Sequence, residues 1–244
     1  MIKSAIEKII SLAEPNFREL DGKTYSDKRF IEVKPEPGPS PKSLNIRTLS
    51  GIVDYIKSNL DDETDHVIHI TDYNHVDLFG KYDPEFCRRK EYIISQSELK
   101  RFAYGQFMDV ESFNITLQSY FQKNDTLDKL LSIVGNLCDD TFVNLSDDGV
   151  TQTATAKVGV VTKVDVKLPN PVELVPYETF PELEGIPRKF VFRLRKRSGV
   201  ECALFESGDT KWKLDYIQAI REYFESQLYA DAELGEALRI TIIA

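Results

Sequence analysis

The sequence predicts an α+β protein: a mainly antiparallel sheet, helices packed on it, and an extended β arm. Three observations lead there. Residues 150–168 read VTQTATAKVGVVTKVDVKL, with every even position apolar except Gln152 and Thr162, and every odd position polar, charged or small except Val161. Alternation with period two marks a sheet with one dry face and one wet face. Residues 189–195 repeat the pattern, with Phe190, Phe192 and Leu194 inward. Elsewhere, blocks of apolar residues on helical spacing are separated by short apolar runs between turn residues.

In order along the chain, Ile2, Ala5, Ile6, Ile9, Ile10 and Ala13 form one stripe of an amphipathic helix ended by Pro15. Residues 28–33 suit a short strand. Pro35, Pro37, Pro39 and Pro41, with Gly38 and Ser40, make a stiff surface connection rather than an element. Residues 1–43 are therefore read as an N-terminal helix, short strand and proline-rich connection, and 44–244 as an α+β domain with its β arm around 142–205. A second helix carries Leu49, Ile52, Val53, Ile56 and Leu60. Residues 67–70 and 76–79 suit two strands joined by a turn at Asp72-Tyr73-Asn74, and 92–95 a third. Val110, Phe113, Leu117, Tyr120 and Phe121 mark a helix. Leu127, Leu130, Leu131, Val134 and Leu137 mark another, starting near Asn124 or Asp125. After the β region, Lys196-Arg197-Ser198-Gly199 is a turn into a strand over 200–205. Leu214, Ile217, Ile220, Phe224 and Leu228 form the last helix, and residues 238–243 a terminal strand. Ordinary strands run roughly 3–10 residues. The long alternation is thus expected to bend near Gly159, or to project and pair with another partner.

Composition narrows the function classes. The 244 residues are 41% hydrophobic with 14 Phe and 11 Tyr, enough for a sizeable core. The net charge of −9 disfavours a general nucleic-acid coat. Charge is uneven, however: residues 151–199 hold nine Lys and Arg against five acids, a +4 segment in a chain whose remainder is −13. Three widely spaced cysteines, Cys87, Cys138 and Cys202, form no zinc pattern and read as reduced thiols. No run approaches the ~20 apolar residues of a membrane span. A cytoplasmic protein without membrane contact is expected.

The three histidines fall within His66-Val-Ile-His69-Ile-Thr-Asp72-Tyr-Asn-His75. His66 and His69 lie three apart on a strand and point to opposite faces. A hairpin can bring His75 beside one of them only, so no common metal site is expected. No G-x-S-x-G elbow, P-loop or G-x-G-x-x-G is present, and no cofactor is implied. The acid pairs at 61–63 and 139–140 read as solvated loops, and Asp147-Asp148-Gly149 as a turn. Lys157, Lys163, Lys167, Lys189, Arg193, Arg195 and Arg197 all occupy odd positions. If 150–168 and 189–195 share a sheet, these bases gather on one face that suits an anionic ligand or nucleic acid. Acids across the strands or on a neighbouring subunit would serve them equally well. Tyr177 and Phe180 sit in a stiff Pro176-Tyr177-Glu178-Thr179-Phe180-Pro181-Glu182 segment, where they suit core or interface packing, or a cleft wall.

The same segment carries a family resemblance. With Thr48-Leu49, Asp54-Tyr55, the His-bearing strand, the lysine-bearing strand at 163–167 and Pro169-Asn170-Pro171, it resembles the YfdQ-like family of phage and prophage proteins over residues 44–230. The resemblance implies a phage setting and brings neither a reaction nor catalytic residues. The expected function is a phage-encoded, non-enzymatic self-assembling or binding protein that forms a homo-oligomer. Its alternatives are a nucleic-acid accessory protein using the basic face, and a hydrolase-type enzyme using His69, Asp72 and His75.

Overall fold

A computed structural model describes residues 2–13, 17–20, 23–26, 42–62, 64–98, 101–136, 146–147, 152–158, 162–167, 170–229 and 239–244. The chain divides into two compact units, Met1–Ser40 and Pro41–Ala244. The first holds helix α1 (Ile2–Ala13) and an antiparallel hairpin of β1 (Phe17–Leu20) and β2 (Lys23–Ser26). The α1 stripe of Ile2, Ile6 and Ile9 is exposed. Sequence periodicity anticipates the helix but not the hairpin. The strand expected at 28–33 and the proline-rich connection lie outside the described residues.

In chain order the second unit runs β3 (Leu44–Ile46), α2 (Leu49–Ser58), β4 (Asp65–Asp72), β5 (His75–Asp83), β6 (Arg88–Gln96), β7 (Met108–Asp109), α3 (Val110–Tyr120) and α4 (Asp125–Gly135). It continues with β8 (Ser146–Asp147), β9 (Gln152–Val158), β10 (Thr162–Lys167), β11 (Val172–Leu174), β12 (Arg188–Lys196), β13 (Val200–Glu206), α5 (Lys211–Leu228) and β14 (Arg239–Ile243). A five-stranded sheet has the order β14-β4-β5-β6-β3, antiparallel in its centre and parallel at both edges. A four-stranded antiparallel sheet has the order β11-β12-β13-β7. The class is α+β and the pairing mainly antiparallel, as the periodicity requires.

Each sheet has its own buried cluster. Ile68, Ile70, Val76, Leu78 and Ile93 of the five-stranded sheet pack with Leu49, Ile52 and Ile56 of α2 and with Ile220, Phe224 and Leu228 of α5. Phe190, Phe192, Leu194, Cys202 and Leu204 of the four-stranded sheet pack with Phe113 and Leu117 of α3 and with Leu127, Leu130 and Val134 of α4. Helices α2, α3 and α4 start where side chains satisfy their first backbone donors. Thr48 Oγ1 accepts from Gly51 N, Asp109 Oδ1 from Ser112 N and Asn124 Oδ1 from Leu127 N. Helix α2 stops at Asn59, whose φ of 47° is left-handed, so Leu60 falls outside the helix and is exposed.

The long alternation is not one bent strand. Strands β9 and β10 form an antiparallel hairpin, with Val158 opposite Thr162 and Ala154 opposite Val166. Partners in an antiparallel pair share a face, and here even pairs with even. The apolar face is therefore kept through the reversal, which is why the sequence reads as continuous. Strand β8 pairs with β9 to make a separate three-stranded sheet.

Candidate functional site

Between the five-stranded and four-stranded sheets the structure opens a cleft of about 600 Å³. That is within the range of small-ligand sites. Its walls come from six places along the chain: the β4–β5 turn with Tyr73, the segment of Phe102 and Tyr104, the end of α3 with Tyr120, the strap of Pro176, Tyr177 and Glu178, the start of β12, and the β13–α5 junction. Six aromatic side chains line it: Tyr73, Phe102, Tyr104, Tyr120, Tyr177 and Trp212, the last being the chain's single tryptophan.

The strap holds the cleft open by bonding to both sides. Tyr177 N donates to the Tyr120 carbonyl at 2.9 Å, at the end of α3. Thr179 Oγ1 donates to the Tyr73 carbonyl at 2.5 Å. Phe180 is buried in the five-stranded sheet's core, and Glu182 Oε1 accepts from both Ser50 N and Ser50 Oγ at 2.9 Å at the start of α2. Of the two strap aromatics, Phe180 is a packing residue and Tyr177 faces the cleft, 47% exposed.

At the centre lies Arg188. Inward-facing positions of β12 are even, and Arg188 is the first of them, at the end of the sheet where the core gives way to the cleft. Its guanidinium stands 3.9 Å from the Trp212 ring centroid. Nη1 donates to Glu178 Oε2 and Nη2 to Glu206 Oε1, each at 2.5 Å. Arg188 and Glu178 are 8% and 14% exposed, whereas Glu206 is 52% exposed. Glu178 Oε1 is buried with no hydrogen-bond partner among the described residues. Burial pushes the Glu178 carboxyl up to about 7, against the opposing pull of Arg188. Burial also raises the phenols of Tyr104, Tyr73 and Tyr216, keeping them neutral.

The β13–α5 junction completes the wall. Gly208 has φ of 123°, which side-chain-bearing residues rarely adopt, and it turns the chain from β13 into α5. Asp209 Oδ1 accepts from Lys211 N at 3.0 Å, and Thr210 makes no side-chain cap bond. Lys213 Nζ lies 5.2 Å from the Tyr73 ring and 5.6 Å from Trp212.

The other expected site residues are dispersed. Lys157, Lys163 and Lys167 belong to the β8–β10 sheet, while Lys189, Arg193 and Arg195 lie on β12 of a different sheet. Lys157 stands directly opposite Lys163. Lys189 lines the cleft and faces Glu173 across β11. Arg195 bonds Glu201 at 2.6 Å and stacks on Phe107 at 4.0 Å. Arg197 is an exposed turn residue after β12. Among the histidines, His66 is buried on the core face of β4. On the opposite face His75 Nε2 bonds Asp77 Oδ1 at 2.8 Å, Thr71 Oγ1 donates to Asp77 Oδ2 at 3.1 Å, and Thr71 Oγ1 and His69 Nδ1 are 3.3 Å apart. The carboxylate joining the two histidines is thus Asp77; Asp72 Oδ1 instead accepts from Tyr73 N in the turn. Among the described residues no group of three or more His, Cys, Asp or Glu is placed to hold a metal. No helix among them is long and apolar enough to cross a membrane.

No protein-family model, curated protein or solved structure matches this chain.

Proposed function

We propose that the chain is a non-enzymatic binding protein, working in the phage setting its resemblance implies, that holds a small ring-bearing ligand in the Trp212 cleft. The observation that carries the reading is the cleft's make-up. An open cleft of about 600 Å³ walled by six aromatic side chains offers stacking surface on several sides of one ligand. A panel of small ring compounds tests it, read by Trp212 emission and by melting temperature. A ligand at a hundredfold its dissociation constant stabilises the folded state by about 2.7 kcal/mol. At least one compound should give a saturable emission change and a raised melting temperature, both weakened by Tyr177→Ala. A panel without any saturable response at millimolar concentration would remove the reading.

Self-association through the β arm is a second reading, favoured by a separate observation. Strands β8 and β10 are the outer strands of their sheet and have no further strand neighbour among the described residues. Open edges template pairing with another chain. The register sets Lys157 opposite Lys163, a like-charge pairing that an acidic surface of a neighbouring copy would offset. Light scattering at near-physiological salt should show a species larger than 27.9 kDa, and a clean monomer would exclude it. If the species survives Lys163→Glu with Arg193→Glu, the oligomer stands without its electrostatic explanation.

A further inference from the structure

The charged groups of the cleft are sorted by depth. Glu173, Glu206, Asp209, Asp215, Arg101, Lys189 and Lys211 are exposed at its rim, whereas Arg188, Glu178 and Lys213 lie inside. The inner set carries two cations and one carboxyl. Lys213 makes no ion pair among the described residues, and its ammonium sits against the Tyr73 and Trp212 rings. Arg188 is committed on Nη1 to buried Glu178, but its Nη2 partner Glu206 is half exposed. Glu206 reaches Arg188 from a half-exposed position where water already solvates its carboxylate, so another oxyanion can take its place on Nη2.

We infer that the ligand is an aromatic oxyanion, a flat ring joined to a carboxylate or phosphate, whose acid group replaces Glu206 on Arg188 Nη2 within reach of Lys213. The inference rests on the cleft being the binding site. Glu206 then acts as a built-in competitor, a carboxylate holding the position until a ligand oxyanion takes it.

Trp212 emission is the direct readout, because it is the only tryptophan. Four probes separate the parts: adenosine 5′-monophosphate, benzoate, adenosine without the phosphate, and inorganic phosphate without the ring. The two acids should bind, and their relative affinity distinguishes a nucleotide from an aryl carboxylate as the source of the chemistry. The monophosphate should bind at least about tenfold tighter than adenosine or inorganic phosphate. Glu206→Gln should tighten the bound acid about threefold by removing the competitor, the opposite of what loss of a structural ion pair predicts. Lys213→Met, which keeps an apolar stem, should weaken the acid about tenfold and leave adenosine unchanged. If adenosine binds as tightly as its monophosphate, or if Glu206→Gln fails to tighten binding, the oxyanion inference is overturned while the cleft remains a binding site. If none of the four probes alters Trp212 emission, both this inference and the cleft reading fail.

Discussion

The five-stranded and four-stranded sheets of the second unit bury their inner faces with overlapping sets of side chains, arranged differently. The five-stranded sheet is covered by α2 and α5 mainly through branched aliphatic residues, Ile52, Ile56, Ile68, Ile93 and Ile220 among them. The four-stranded sheet meets Leu117, Leu127, Leu130 and Val134 of α3 and α4, but it also holds a connected set of rings: Phe113, Phe121, Phe190 and Phe192 are all at most 1% exposed. Rings bury more area per residue and hold defined edge or face contacts. Phe190 meets Tyr104 stacked at 5.3 Å and Phe121 edge-on at 5.7 Å. The aromatic set continues outward from that core through Tyr104 into the cleft wall, while the aliphatic set ends at its sheet. The rings of this core therefore continue into the cleft wall with no change of chemistry.

The largest test of this contrast is Phe190→Ala, which should cost about 3–5 kcal/mol, against about 1 kcal/mol for Ile68→Val in the aliphatic core. Urea denaturation measures both. Phe190→Ala should also alter Trp212 emission in the folded state, because Arg188 spans the two rings at 5.2 and 3.9 Å. Equal losses, or unchanged emission, would break the link between aromatic core and cleft.

A pH series comes next. In the folded state the Glu178 carboxyl lies at about 7, above its ordinary value of 4.5. Between those values the folded chain holds a proton the unfolded chain has released. The associated stability is complete below 4.5 and is lost as pH rises through 7. Relative to Glu178→Gln, the wild type should lose on the order of 3 kcal/mol across that window. Parallel stability curves for the two proteins would show that the carboxyl is solvated.

The smallest effect concerns the helix starts. Thr48→Ala in the aliphatic layer and Asn124→Ala in the aromatic layer should each cost about 1 kcal/mol, because both remove one side-chain acceptor from a first turn. Markedly unequal losses would show that one layer tolerates fraying better than the other.

Periodicity made the long elements legible. The last four helices, the β4–β5–β6 set and the β12–β13 pair all appear where apolar spacing puts them. Strands β3, β7 and β11 have two or three residues and no period to detect. The hairpin of β9 and β10 was hidden because its register preserves parity. Much of the cleft was hidden for a different reason: Tyr73, Glu178, Arg188 and Trp212 are brought together by four separate segments, and no local spacing encodes that. One signal was present. Arg188 falls on the even, inward parity of a strand whose other inward residues are Phe190, Phe192 and Leu194, and an arginine in that register demands buried carboxylates. The odd-position bases drew attention to the outer face instead, and of them only Lys189 reaches the cleft.

The parallel pairing of β14 with β4 has a consequence for synthesis. Asp65 meets Arg239, roughly 170 residues downstream, whereas the four-stranded sheet has all its strands by Glu206. While the ribosome is still adding the later residues, the aromatic layer can already assemble, but one margin of the aliphatic layer stands bare along residues 65–69. A nascent chain in that condition can pair with another nascent chain on the same messenger through the margin that β14 will later occupy. Translation speed through α5 sets how long that exposure lasts.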